Sequence, residues 1–228
     1  MTAVILFDID GTLIRAGTDV HKAAFAHAFR EVYGVETSLD GVRPAGRTDT
    51  WLLYEPLRMA GLNDQEITDR MPRAFELMCR YVDFHLDDLR DKVLPGIPEV
   101  LDELCARGAV IGLLTGNLEP IAMAKMRKAG LQGRFDFGAF GEESATRSEL
   151  VPVALGKARV SAAQAVVVGD TPLDIEAAMV HGVRSCGVAT GPFDEEELRE
   201  AGADLVVSSL APGREVAGRI MDLVAARS

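Results

Sequence analysis

Five short apolar runs punctuate the chain: Val4 to Phe7, Val110 to Leu114, Ala165 to Val168, Val183 to Val188 and Leu205 to Val207. None alternates strictly with polar residues, so each is predicted to be a strand covered on both faces. Between them, apolar positions recur at helical spacing over Glu99 to Arg107, Leu118 to Ala129, Leu150 to Arg159, Leu173 to His181 and Arg214 to Ala226. Strands that alternate with helices and lack a polar face imply an α/β fold. The expectation is a Rossmann-like parallel sheet between helical layers, with ligands bound near the carboxyl ends of the strands.

One stretch breaks this rhythm. From Val20 to Leu89 the patterning is helical throughout, over Val20 to Tyr33, Asp49 to Met59 and Asp64 to Asp88, with turn-rich segments near Gly34, Pro44 and Gly61. The strand and helix alternation resumes at Leu94, Pro95 and Gly96. Residues 15–91 are therefore expected to form an all-helical insertion, and residues 1–14 and 92–228 the α/β core. The acidic cluster Asp194 to Glu197 is predicted to be a solvated helix start.

Composition narrows the functional classes. With 48% apolar and 26% charged residues, the 228-residue chain buries roughly 70% of its unfolded surface, which excludes disorder as the main state. A formal net charge of −11 has the wrong sign for a nucleic-acid footprint or an anionic membrane, so a small-molecule partner is expected. Cys79, Cys105 and Cys186 lack metal or redox spacing and are read as reduced, mostly buried thiols. The apolar opening run has no basic flank, and no membrane span is visible; a cytoplasmic monomer or homodimer is expected.

Chemistry concentrates where the apolar runs end. The first runs into Asp8-Ile9-Asp10-Gly11-Thr12, whose two carboxylates, two residues apart, face one side in extended backbone. Taken alone, they serve equally well as acceptors for turn amides. The third run ends at Gly169-Asp170-Thr171-Pro172-Leu173-Asp174, where Asp170 is a potential helix cap and Asp174 an ordinary first-turn acid. Four acids on one sheet edge repel one another unless a cation sits among them, and oxygen donors of this kind suit magnesium. The second run ends at Thr115-Gly116-Asn117 before a helix, a hydroxyl and free amides suited to a phosphate, although Asn117 by itself reads better as a cap.

These three strand ends, in this order, resemble the haloacid dehalogenase superfamily, and specifically its phosphoglycolate-phosphatase-like branch. The resemblance spans nearly the whole chain, with residues 15–91 standing where that family carries its helical cap. It implies a magnesium-dependent phosphatase for a small phosphorylated metabolite, phosphoglycolate being the first compound to test. Asp8 would be the nucleophile and Asp10 the general acid and base. Thr115, Gly116 and Asn117 would hold phosphate. Magnesium would be bound by Asp8, the Asp10 backbone carbonyl and Asp170, with Asp174 acting behind them.

The family's third motif normally supplies a lysine, and here the sequence departs from it. Arg147 stands at about the right distance before Asp170, and its planar fork suits phosphate oxygens, whereas Lys157 lies too close to Asp170 and inside a predicted helix. A surface arginine is the bland alternative. In Gly46-Arg47-Thr48-Asp49, Arg47 is a candidate for substrate specificity, matched evenly by a simple capping role for Thr48 or Asp49. His21 is a second specificity candidate. His21 and His27, six residues apart, share no helix face for a metal, and the lone Trp51 is expected to be packing. A sugar phosphomutase is the nearest enzyme alternative, disfavoured because the segment around His21 lacks that branch's histidine, tryptophan and lysine grouping. A dehalogenase has no use for Asp10, and a silent ligand sensor has none for a nucleophile beside an acid and base.

Overall fold

The computed structural model describes residues 2–15 and 18–225. Among these, six parallel strands form one sheet in the order β3-β2-β1-β4-β5-β6. They are β1 (Val4–Phe7), β2 (Val110–Leu114), β3 (Phe137–Ala139), β4 (Ala165–Gly169), β5 (Arg184–Val188) and β6 (Leu205–Val207). The parallel sheet expected from the apolar runs is present. β3 has no counterpart in the sequence reading, because three residues with a central Gly138 give no periodic signal at a sheet edge.

Alternate residues of β1 serve opposite layers. Ile5 and Phe7 join a core with α4 (Ile97–Ala106), α5 (Glu119–Lys128) and α9 (Gly213–Ala225). Val4 and Leu6 face α6 (Leu150–Ala158) and α7 (Pro172–Val180). A short α8 (Glu195–Glu200) starts on Asp194, whose carboxylate caps the Glu196 and Glu197 amides, so the acidic cluster is indeed a helix start. Observed ends of the core helices fall within one or two residues of those expected, while the helix expected to reach Asp88 stops three residues earlier at His85; Ala226, the expected end of the last helix, lies outside the described residues.

Between β1 and α4 the chain is helical, as the patterning predicts. α1 (Asp19–Ala28) is capped by Thr18 and runs into a π-turn over Phe29–Tyr33. α2 (Asp49–Met59) is capped by Thr48, and α3 (Asp64–His85) by a reciprocal Asn63 and Glu66 capping box. The outgoing and returning segments are tied together: Ile14 bridges Val93, the Leu94 amide donates to the Leu13 carbonyl, and the Arg15 amide to that of Lys92.

The cysteine expectation needs correction. All three thiols are free, but only Cys186 is buried; Cys79 is half-buried and Cys105 lies on the solvent face of α4. Among the described residues, no helix is long and apolar enough to cross a membrane.

Gly96 caps α4 at φ 84° and Gly108 follows it at φ 79°. A Cβ at Gly96 would stand 2.2 Å from the Leu210 carbonyl oxygen, whereas one at Gly108 meets nothing within 4 Å. Gly108→Ala should cost about 1–2 kcal/mol from the left-handed backbone alone. Gly96→Ala should cost roughly 1–3 kcal/mol more because backbone must move. Equal losses in urea denaturation would contradict that packing.

Candidate active site

Register explains why the acids meet. Phe7 pairs with Leu113 of β2 and with Val168 of β4, so Asp8, Thr115 and Asp170 emerge together at the carboxyl edge. The Asp8 amide donates to the Val168 carbonyl at 2.9 Å, holding the first residue beyond β1 in line. Gly11, at φ 90°, turns the chain away next to Asp170.

A cavity of about 300 Å³ opens over this edge. Asp8, Asp10, Thr115, Gly116, Asn117, Arg147 and Asp170 line it from the core, with His21, Arg47 and Asp49 from the helical segment. Asp174 sits behind Asp170 and is buried; its carboxylate accepts the Thr171 amide at 3.0 Å and the Thr171 hydroxyl at 2.8 Å.

The bland alternatives do not describe Asp170, Asn117 or Arg147, whereas Asp174 is a first-turn acid in the capping box of α7 and Thr48 does cap α2. Asp170 is no helix cap, since Thr171 takes that position and Asp170 accepts the Thr12 hydroxyl at 3.2 Å. Nor does Asn117 cap α5; its amide nitrogen donates to Asp10 at 2.8 Å and to the Thr115 hydroxyl at 2.7 Å. Arg147 is buried rather than on the surface. Its Nη2 stands 2.9 Å from Asp8 Oδ1, ion-pairs with Asp174 and donates to the Leu114 carbonyl at 3.0 Å. Lys157 points elsewhere, to the Gly138 carbonyl and Glu143.

Burial and mutual repulsion govern the charge states. Burial pushes the Asp8 carboxyl up to about 6, against the opposing pull of Arg147. Asp170 goes up to about 9, through burial first and then the charges of Asp8 and Asp174. Burial also works against the Asp10 charge, yet Lys125 and Asn117 outweigh it and hold that carboxyl below its ordinary value.

The donor set fits a hard divalent cation. Oxygens of Asp8, Asp170 and Asp174 lie within 4.8 Å of one another. Asp174 Oδ1, although ion-paired, is buried with no hydrogen-bond donor among the described residues. Glycines leave the space around Asp170 open: a Cβ at Gly11 or Gly191 would fall 2.1 or 1.7 Å from Asp170 Oδ2.

Several participants escape the sequence reading. Lys125 is fully buried, with Nζ 2.8 and 2.6 Å from the two Asp10 oxygens. Asp49 accepts the Leu118 amide at 2.9 Å and lies 3.1 Å from His21 Nε2. Thr48 and Thr50 donate to the Ala145 and Gly141 carbonyls at 2.9 and 2.6 Å, so the start of α2 rests on the core. Trp51 has a use beyond packing, since the exposed Arg47 guanidinium sits 4.4 Å above its ring.

Linkage gives these shifts a sign. Asp8 and Asp170 bind protons more tightly in the native state than in the unfolded one, so their contribution to stability is complete in acid and fades as pH rises through about 6 and about 9. Chelator-treated protein should therefore lose thermal stability from pH 6 to pH 9, a range over which Asp8 is already mostly ionised, and Asp170→Asn should flatten most of that fall. A melting temperature that climbs over this range would contradict the crowding.

Comparison with known proteins agrees with this geometry. Residues 5–188 match the family model for haloacid dehalogenase-like hydrolases. The chain is 30% identical over 221 residues to the phosphoglycolate phosphatase of Caulobacter vibrioides, covering 91% of this chain and 87% of that one. It is 25% identical over 205 residues to the phosphoglycolate phosphatase of Synechococcus elongatus, covering 90% and 92%. The fold superimposes on the β-phosphoglucomutase of Clostridium difficile with a TM-score of 0.72 at 18% identity, over 99% of this chain and 98% of that one. The chain belongs to the haloacid dehalogenase-like hydrolases and stands with the phosphatases among them.

Proposed function

We propose that this protein is a magnesium-dependent phosphatase that hydrolyses a small phosphorylated metabolite through an aspartyl-phosphate on Asp8. The observation that carries the proposal is the convergence of Asp8, Asp10, Thr115, Arg147 and Asp170 on one cavity. Asp8 attacks phosphorus; Asp10, ionised beside Lys125 in the free protein, takes up a proton on the way to the phosphoryl transfer, hands it to the departing oxygen, and then takes one from the water that hydrolyses the intermediate. Thr115, Asn117 and the Gly116 amide receive phosphate oxygens, and Arg147 offsets the combined charge of Asp8 and phosphate. Asp8, the Asp10 carbonyl and Asp170 would hold magnesium, with Asp174 supporting them from behind. The bound ion supplies charge neutralisation between the nucleophile and the incoming phosphate.

Residues 15–91 act in this scheme as a cap over the cavity. The seating of Thr48, Asp49 and Thr50 against core backbone supports that role. Phosphoglycolate is the first substrate to test, because the matched relatives in Caulobacter and Synechococcus carry that activity in their names. Arg47, which lines this cavity and whose guanidinium rests on Trp51 in the adjoining pocket, is the group to meet a substrate carboxylate. Three free thiols accord with a reducing, cytoplasmic setting.

Phosphate release from phosphoglycolate, or from a panel of phosphorylated metabolites, should vanish in Asp8→Asn and on chelation of divalent ions. Turnover that survives either treatment contradicts the mechanism. Release of inorganic phosphate, as opposed to its relocation within a sugar phosphate, separates hydrolysis from mutase chemistry. Arg147→Ala should lower kcat/KM by about 10²-fold or more, the scale for losing an electrostatic donor at a transferring group. Lys157→Ala should stay within about twofold of the natural protein, as surface pairs contribute little. The reverse ranking would overturn the assignment of Arg147.

A further inference from the structure

We propose that Lys125 is a positioning residue for Asp10, fixing the carboxylate that serves as acid and base; this rests on the role proposed for Asp10 above. The inference comes from where the lysine lies and what surrounds it. Leu118, Ile121, Ala122 and Lys125 follow the i, i+3, i+4, i+7 spacing of the buried stripe of α5, and all four side chains are buried. A helical side chain leans toward the N-terminus of its helix. Lys125, two turns into α5, therefore reaches back to the loop from which the helix starts.

Its ammonium is surrounded by acceptors there. Nζ lies 2.8 and 2.6 Å from the Asp10 oxygens, 2.7 Å from Asn117 Oδ1 and 3.3 Å from His21 Nδ1. An ammonium has three protons to give. Four protein acceptors within reach leave none for phosphate, which sets Lys125 apart from a phosphate-binding lysine. Asn117 Nδ2, 2.8 Å from Asp10 Oδ2, adds a further tie. The Asp10 carboxylate is thus held by both oxygens on the wall of the cavity that it shares with Asp8.

A purely architectural ion pair explains this position poorly. Burying an ammonium is costly, and replacing such an ion pair as a whole by apolar side chains is commonly neutral or better for stability. The neighbouring stripe positions carry leucine, isoleucine and alanine, so a leucine or methionine at 125 would complete the packing. What a lysine adds is orientation of the group it faces, and transfer steps are sensitive to misplacement by about 1 Å. The cationic work is divided: Arg147 pairs with Asp8 and Asp174, and Lys125 with Asp10.

The test is a double-variant cycle on the full-length protein with magnesium, using p-nitrophenyl phosphate as substrate and inorganic phosphate as inhibitor. Lys125→Met should lower kcat by about tenfold or more, within the roughly 10²- to 10⁴-fold that acid and base catalysis contributes. The inhibition constant for phosphate should stay within about twofold, because the lysine has no proton for phosphate. In an Asp10→Asn background the same substitution should add almost no further loss. The double variant buries no unpaired charge, so its thermal melt serves as the folding control should Lys125→Met alone unfold. An unchanged kcat in Lys125→Met, an equal loss in both backgrounds, or weakened phosphate inhibition in step with the loss overturns the proposal. Full activity in Asp10→Asn would fail the proposed role of Asp10 instead, an outcome visible without any change at Lys125.

Discussion

Carboxylates crowded at the edge of one sheet repel each other, and the way this repulsion is offset organises the site. Asp8, Asp170 and Asp174 lie too close together, and too deep, for all three to ionise unaided. Arg147 answers part of that charge from inside the protein. The remainder is what makes the place receptive to a hard cation. Asp10 stands outside the cluster with its own cation, Lys125, although its charge still adds to the repulsion felt by Asp8.

The sheet makes such crowding affordable by fixing it in advance. Parallel strands with Phe7, Leu113 and Val168 in register deliver three loop starts to one place, and the apolar layers on both faces keep those strands from shifting. Glycines then decide how near the pieces come. Gly11 and Gly191 flank Asp170, while Gly116 lets the Arg47 carbonyl approach within a distance that no Cβ would permit. Backbone, instead of side-chain bulk, brings the start of α2 against the loop after β2.

Most of this was legible in the order of residues. The aspartates that follow the apolar runs are the ones the sheet brings to one edge, and the place of the family's third motif, where a lysine is usual, pointed to an arginine that lies buried beside Asp8. What escaped did so for physical reasons. Lys125 sits among Arg127 and Lys128 and reads as one more solvated cation; its fall on the apolar stripe of α5 was the available signal. β3 is too short to show a period. The Asp49 contacts to Leu118 and His21 depend on docking between distant segments, which local patterning does not encode. Cys105 was misjudged because a thiol on the polar face of a helix leaves the helical pattern unchanged.

The central claim, that buried carboxylates share one cation site, is tested most directly by counting protons. Magnesium titrated calorimetrically at pH 7.5 in two buffers of different ionisation enthalpy reports how many protons leave on binding. With Asp170 raised to about 9 and Asp8 to about 6, close to one proton should be released, and none in Asp170→Asn. Magnesium binding without proton release, or with the same release after Asp170 is replaced, would contradict the account.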